Sequence, residues 1–230
     1  MSYYLSTMIF LYDLIIPEMN KMKIQLPKIS NILDPYQNDP TIFYDHYIQD
    51  IKFEQTVIQN IENQNMTIDA CRFDHVSFQN IQFEQAELLD IVFDHCEFEN
   101  VHFLKCSLYR VQFINCRCMG IEISDSLLDN TLFDSCNNAY SNYGMSSFKK
   151  VRYENTNLEN SGFIQCTFKD IEFKNVQLDD SDFFNTNLNK VDFSTCQINN
   201  IGVSENMLKG IIINTQQAMT FLKLLGIVVK

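Results

Sequence analysis

An apolar residue at every fifth position, from Phe53 to Ile213, is the feature that most constrains this chain. Only Asn63 and Asn138 interrupt this first series with strongly polar side chains, and it holds 15 of the 19 phenylalanines. A second series lies two residues before each member of the first and consists mainly of small or β-branched residues. Two positions in every five are therefore predicted to be buried.

Charged side chains support this assignment independently. Residues 51–213 contain 23 acidic and 12 basic side chains, and none of them occupies either series. Charges avoid inward positions because burying an unpaired charge costs several kcal/mol. A period of five fits neither an α-helix nor a flat strand. It fits a coil in which each unit of five residues forms one side and points two side chains inward.

The two series resemble the consensus of pentapeptide-repeat proteins, roughly A(D/N)Lxx. The resemblance covers about residues 51–213 and implies an all-β fold, a right-handed quadrilateral β-helix with four units in each coil. About eight coils, stacked at the ~4.8 Å spacing of neighbouring strands, would form a rod roughly 40 Å long. Each coil would form hydrogen bonds only with the coils above and below it, as in other solenoids.

Three regions are expected along the chain. Residues 1–50 would form an N-terminal tail and cap, and residues 1–21 would be disordered or non-native, because MKIQLP at Met22 is a reasonable translation start. Residues 51–213 would form the β-helix. Residues 214–230 would form a short C-terminal helix and strand, serving either as a monomeric end cap or as a dimer interface, because so short a helix needs a packing partner.

The stretch NNAYSNYGMSS (137–147) is the weakest part of the predicted coil, because it places Asn138 inward and contains Gly144. Two interpretations are open. Either the coil continues with a distortion, or an insertion of one or two units loops outward.

Seven of the eight cysteines lie on the second series, and no pair has CxxC spacing. We therefore interpret them as small buried hydrophobes rather than disulfides or metal ligands. His75 and His95 should stack as a solvated ladder rather than hold a metal. Phosphate-binding loops, HExxH motifs and nucleophile elbows are not found in the sequence, so we expect neither catalysis nor a cofactor.

The formal net charge of −12 argues against direct binding to nucleic acid. The apolar run near the start of the chain contains Asp13 and is shorter than the ~20 residues of a membrane span. We therefore expect a cytoplasmic protein without membrane contact.

The end of the chain, LKGIIINTQQAMTFLKLLGIVV, resembles the carboxyl end of the quinolone-resistance (Qnr-type) pentapeptide-repeat proteins. The segments RCMGIEI and MKIQLP are also similar to that group. The resemblance implies a homodimer joined through its carboxyl ends. It also implies binding to a type II topoisomerase, DNA gyrase or topoisomerase IV, as a mimic of duplex DNA that protects the enzyme from quinolones. The dimerisation residues would be Ala218, Phe221, Leu222, Leu225, Ile227 and Val229.

Residues 20 apart should share one side of a four-sided coil. A column of carboxylates for partner binding is then expected, interrupted by Ile114. Its members are Glu54, Asp74, Asp94, Asp134 and Glu154. Another side gathers basic residues, namely Lys149, Lys150, Lys169, Lys190 and Lys209. The column is either a DNA-like edge or an ordinary solvated surface.

One coil carries an apolar residue at an outward position on each of its four sides. These residues are Leu104, Tyr109, Ile114 and Met119. They form a contact surface, or they lie flat along the corners of the coil.

Two other functions also fit the sequence: an interaction scaffold for a different partner, and an immunity protein against a gyrase-targeting peptide.

Overall fold

The chain winds as a four-sided β-helix in a computed structural model that describes residues 22–224 and 226–228. Every named strand pair is parallel, and within the β-helix a residue generally pairs with the residue 20 positions later, as Phe93 does with Phe113. The predicted fold class is therefore confirmed. The predictions for residues 1–21, Leu225 and Val229 lie outside the described residues.

Sixteen strands occur in the part of the chain that the structure describes. They are β1 (Asp34–Pro35), β2 (Tyr47–Gln49), β3 (Ile51–Glu54), β4 (Val57–Gln64), β5 (Thr67–Asp69), β6 (Arg72–Asp74), β7 (Ser77–Glu84), β8 (Glu87–Asp94), β9 (Glu97–Leu104), β10 (Ser107–Ile114), β11 (Glu122–Ser124), β12 (Leu127–Asp134), β13 (Ser147–Glu154), β14 (Thr167–Lys174), β15 (Asp182–Phe183) and β16 (Gly202–Val203). Short 3-10 helices span Pro40–Tyr44 and Glu205–Met207, and one α-helix, α1, spans Thr215–Leu224.

The strands form two main sheets, each of which folds round a corner of the coil. A ten-stranded sheet contains β8, β10, β12, β13 and β14, and a four-stranded sheet runs β11-β9-β7-β4. A residue with positive φ turns the corner, for example Asn80 with φ +53° inside β7. Asparagine tolerates this left-handed conformation better than most residues, which explains its frequency at the corners.

The first series fills the centre of the coil with stacked rings. Consecutive ring centroids in one stack lie 4.5–5.5 Å apart. The stack consists of Phe53, Phe73, Phe93, Phe113, Phe133, Tyr153, Phe173 and Phe193. The second series lies beside it and is also largely buried. The predicted inward positions are thus confirmed.

All eight cysteines are buried and carry free thiols, as the sequence predicts. Burial raises the pKa of the Cys106 thiol to about 11 and that of Cys166 to about 12, which keeps these two thiols protonated at neutral pH. Side chains of the second series also donate hydrogen bonds to backbone carbonyls, which the sequence did not reveal. The Cys106 Sγ donates to the Phe83 carbonyl at 3.4 Å, and the Ser146 hydroxyl donates to the Ile123 carbonyl at 2.9 Å.

The coil continues through residues 137–147 without an outward loop. Asn137 bridges to Arg117 and to Asn157, which keeps the 20-residue register. Asn138 is fully buried, and its Nδ2 donates to the Tyr143 hydroxyl at 2.8 Å. The core thus supplies a partner for the amide nitrogen of Asn138, whereas its Oδ1 is buried without a hydrogen bond among the described residues.

The irregular part of the rod lies further on, in β14. There Lys149 pairs with Asp170 instead of Lys169, and the register shifts on both sides of Lys149. Phe168 and Ile171 are only half-buried in this coil. The shift leaves two apolar side chains of the core series partly open to solvent.

Residues 34–45 cover the first coil. Strand β1 pairs with β3, and Phe43 is fully buried beneath the end of the rod. Asn63 interrupts the apolar series at this place because its Nδ2 donates to the Phe43 carbonyl at 2.5 Å. The open strand edge at this end of the solenoid is thereby covered.

Helix α1 covers the other end. Asn214 and Gln217 cap the helix reciprocally: the Asn214 Oδ1 accepts from the Gln217 N–H at 2.9 Å, and the Gln217 Oε1 accepts from the Asn214 N–H at 2.8 Å. The Gln217 Nε2 also donates to the Cys196 carbonyl at 2.7 Å. None of the helices in the described residues is long and apolar enough to cross a membrane.

Candidate interaction surfaces

The five predicted carboxylates lie on one side of the rod. Strand register places Glu54 beside Asp74 and Asp74 beside Asp94, and Ile114 follows before the last two members. Asp134 pairs in turn with Glu154. We call Glu54, Asp74, Asp94, Asp134 and Glu154 the acidic column. The structure therefore brings together all five residues in the order that the 20-residue spacing requires.

Neighbouring cations compensate much of this charge, which the sequence analysis did not anticipate. Among the described residues, three ion pairs with lysine or arginine involve members of the acidic column. They are Lys52–Glu54 at 3.0 Å, Arg72–Asp94 at 2.6 Å and Lys174–Glu154. The sequence spacing indicates these ion pairs, because each basic residue lies 2, 22 or 20 residues from its carboxylate partner. Such residues lie on the same side of the same or an adjacent coil.

His75 and His95 stack beside the acidic column, with ring centroids 4.8 Å apart and planes 1° from parallel. The His75 Nδ1 lies 2.6 Å from the Asp74 Oδ1, and the His95 Nδ1 lies 2.7 Å from the Asp94 Oδ1. Both imidazoles are at least half exposed. No group of three or more potential metal ligands occurs among the described residues, and the geometry is that of a side-chain ladder.

The predicted apolar residues of the central coil do not form one surface. Leu104, Tyr109 and Ile114 are half-buried, and Met119 is exposed. They occupy four different sides of the rod, so a flat partner reaches at most two of them. Tyr109 is further covered by the Arg110 guanidinium, whose central carbon lies 4.1 Å from the ring centroid.

Residues 22–33, which we call the N-terminal strap, lie along the outside of the rod. Three hydrogen bonds join the backbone of the strap to side chains of distant coils. The Arg152 Nη2 donates to the Met22 carbonyl at 2.6 Å, the Asn130 Oδ1 accepts from the Gln25 N–H at 2.8 Å, and the Asp90 Oδ1 accepts from the Lys28 N–H at 2.7 Å. The strap therefore ties together coils that are not neighbours in the stack.

A buried ion pair lies where the strap crosses Asp90. The Arg110 Nε and Nη2 each donate to an oxygen of the Asp90 carboxylate at 2.5 Å, and the exposed fractions of the two side chains are 13% for Arg110 and 9% for Asp90. Burial raises the pKa of Asp90, but the hydrogen bonds from Arg110 and from the Lys28 N–H outweigh it and lower the pKa overall. The ionised pair therefore stabilises the fold above the ordinary pKa of aspartate, and this contribution is lost as the pH falls through the lowered value.

The residues predicted for dimerisation differ in their exposure. Phe221 is buried against the last coil of its own chain. Ala218 and Leu222 are half-buried, and Ile227 is 48% exposed. Phe221 therefore serves the end cap, while the outer surface of helix α1 and Ile227 are available to a second molecule.

Comparisons with known proteins agree with the repeat. A family model described as "Pentapeptide repeat region" matches residues 86–152 and 146–219. None of the curated proteins compared with this chain matches its sequence significantly.

Several solved structures of repeat proteins are similar over much of their length. A trypsin-treated variant of QnrB1, described as a plasmid-mediated fluoroquinolone resistance protein, has a TM-score of 0.44 and 17% identity, with 80% of this chain and 100% of that chain covered. HetL, from Nostoc sp. strain PCC 7120 and described as involved in heterocyst differentiation regulation, has a TM-score of 0.25 and 10% identity, with 72% and 84% covered. Because the family model spans more than half of the sequence, the chain belongs to the pentapeptide-repeat family.

Proposed function

We propose that this chain binds a type II topoisomerase, DNA gyrase or topoisomerase IV, as a mimic of duplex DNA and thereby protects the enzyme from quinolones. The observation that carries this proposal is the alignment of five carboxylates along one side of a stiff rod. From Glu54 to Glu154 the acidic column spans five coil spacings, or about 24 Å. An enzyme surface that binds duplex DNA is basic and would attract such an edge. This function requires a cytoplasmic location.

The carboxyl-terminal sequence supports the same proposal. Its LKGIIINTQQAMTFLKLLGIVV segment is similar to the ends of Qnr-type proteins. This similarity lies outside the main body of repeats, so it is more specific than the repeat itself.

The ion pairs limit the strength of the acidic column. Because Glu54, Asp94 and Glu154 each lie beside a cation, the column has a lower charge than an equal length of DNA. Asp74 accepts from His75, and Asp134 accepts from the Ser135 hydroxyl at 3.0 Å. We therefore assign most of the uncompensated charge to Asp74 and Asp134.

Neutralising the acidic column is expected to abolish the effect on gyrase. The variant Asp74→Asn, Asp94→Asn, Asp134→Asn removes three charges from the proposed binding side. In a supercoiling assay with ciprofloxacin, the wild-type protein is expected to restore activity at low concentration and to inhibit it at high concentration. The variant should need at least tenfold more protein for either effect.

A matched control removes the same number of charges elsewhere. Glu62, Glu99 and Glu159 are exposed and lie outside the acidic column. Changing all three to glutamine should leave both effects within about twofold of the wild type. Equal losses in the two variants would mean that only the total charge matters, and an inactive wild-type protein would contradict the proposal itself.

A homodimer joined through the carboxyl ends forms part of this proposal. Met219, Ile227 and Val228 are 44%, 48% and 81% exposed at this end, and such apolar exposure favours contact with a second copy. We expect light scattering to give twice the mass of one chain. The variant Leu222→Asp, Ile227→Asp should give a monomer, because a dimer would bury the new charges.

The control for this experiment places the same substitutions at the opposite end of the chain. Leu26 and Ile32 are 65% and 85% exposed in the N-terminal strap. Changing both to aspartate should leave the mass unchanged. A wild-type protein that is already monomeric at micromolar concentration would exclude the dimer.

The compensation of the acidic column favours a second candidate function, an interaction scaffold for another protein. This candidate predicts a folded rod that neither inhibits nor protects gyrase at any concentration. The supercoiling titration therefore separates the two functions before any variant is made.

A further inference from the structure

The basic side chains of the β-helix fall into two classes. Residues 51–213 contain 12 lysines and arginines, and eight of them form ion pairs with carboxylates. The other four form no ion pair with any of the described residues. They are Lys150, Lys169, Lys190 and Lys209, which we call the basic patch.

All four lie on one side of the rod or at its edge, near the carboxyl end. Lys169 and Lys209 share a side and are two coils apart, and Lys150 and Lys190 occupy the adjoining corner with the same separation. Two coils correspond to about 10 Å. On the coil between Lys150 and Lys190, Asp170 pairs with Lys149 in the shifted register of β14. The basic patch thus concentrates the unpaired positive charge of the β-helix in a small area of an otherwise acidic protein.

Two lysines of the basic patch, Lys169 and Lys190, line a shallow pocket with an apolar floor. The register shift in β14 leaves Phe168 and Ile171 half-buried at this place. A cavity of about 220 Å³ is lined by Phe168, Ile171, Val191, Lys169, Lys190 and Asp170, together with Met22 and Asn189. The exposed lining residues are two lysines, Asp170 and Asn189, and the half-buried ones are apolar, so a ligand of this pocket needs both anionic groups and an apolar group.

We infer that the basic patch binds an acidic polypeptide segment that carries an apolar side chain. Carboxylates of the segment pair with the unpaired lysines, and its apolar side chain covers Phe168 and Ile171. A nucleic-acid backbone supplies anionic groups for the lysines but no apolar side chain for Phe168 and Ile171. A long polyanion would also extend over the surrounding acidic surface, whereas a short segment experiences mainly the charges within the ~8 Å Debye length at physiological salt.

This inference goes beyond the proposed function, because its lysines do not belong to the acidic column, although Ile171 lies on the side of the rod that the column occupies. It can be true whether or not the chain binds a topoisomerase, and its test contains no topoisomerase.

Fluorescence anisotropy with a labelled peptide tests the inference. The probe is an eight-residue peptide with six glutamates around two central leucines, titrated with the full chain. We expect saturable binding that weakens as salt is added. The variant Lys169→Glu, Lys190→Glu should bind at least tenfold more weakly. The control variant Lys105→Glu, Arg117→Glu makes the same charge change on other sides of the rod and should bind within twofold of the wild type.

Two further probes separate the chemical classes of partner. A peptide with serines in place of both leucines should bind at least fivefold more weakly, and a labelled 20-base-pair duplex should bind more weakly than the leucine peptide. Equal binding of the serine peptide would overturn the role of the apolar floor. Tighter binding of the duplex, equal losses in the two protein variants, or no binding of the leucine peptide would overturn the inference.

Discussion

Replacing Phe113 by alanine is expected to lower the free energy of unfolding by about 3–5 kcal/mol. The Phe113 ring is fully buried and lies 4.8 Å from the ring of Phe93 and 4.6 Å from that of Phe133. Hydrogen-bond ladders hold the coils on either side at the strand spacing, so the walls cannot collapse into the cavity that the substitution leaves. Urea denaturation followed by circular dichroism measures the loss.

Phe184 provides the matched control, because it is the same residue type on the outside of the rod and is 45% exposed. Phe184→Ala should cost less than about 1 kcal/mol. If the two substitutions cost the same, the stacked rings would not be the main source of stability.

Replacing Arg110 by alanine is expected to cost about 3–5 kcal/mol, because it leaves the Asp90 carboxylate buried without its cation. The Lys28 N–H then remains as a hydrogen-bond donor to that carboxylate. The N-terminal strap should loosen at the same time, since Asp90 is one of its three anchors. Urea denaturation gives the energy, and faster proteolytic cleavage between Met22 and Leu33 reports release of the strap.

An exposed ion pair in the same type of coil provides the comparison. Arg117 and Glu97 lie 3.1 Å apart, with exposed side-chain fractions of 78% and 56%. Arg117→Ala should cost at most about 1 kcal/mol and should leave cleavage of the strap unchanged. A cost for Arg110→Ala no larger than this would contradict the burial of the Asp90–Arg110 pair.

Most of the β-helix could be predicted from the sequence, because inward and outward positions depend on one property of one residue at a time. An apolar residue such as Phe113 occupies an inward position and a charged residue such as Asp94 an outward one. Repetition every five residues makes this pattern visible in the sequence. The alignment of the acidic column followed from this period together with the four units per coil that the family resemblance implies. Its compensation was missed, because it depends on pairs of residues, a carboxylate and a cation such as Arg72 on the same or an adjacent coil, rather than on one residue at a time.

The N-terminal strap gave no signal in the sequence for a different physical reason. Its contacts with Asn130 and Asp90 use the backbone N–H groups of Gln25 and Lys28, which every residue except proline has. The sequence also predicted the weakest part of the coil at residues 137–147, whereas the register shift lies in β14. Asn138 departs from the pattern yet keeps the register, with its Nδ2 bonded to Tyr143, whereas Phe168 fits the pattern and lies where the register shifts.

The 20-residue register determines which changes in length the rod tolerates. Loss of one residue would exchange inward and outward positions in all later coils. Loss of five residues would preserve the core but rotate every later side by a quarter turn, which would divide the acidic column between two sides of the rod. Loss of 20 residues would shorten the rod by one coil and leave each side continuous. Such a rod can therefore change its reach in whole coils while it keeps the same chemical surface toward a partner.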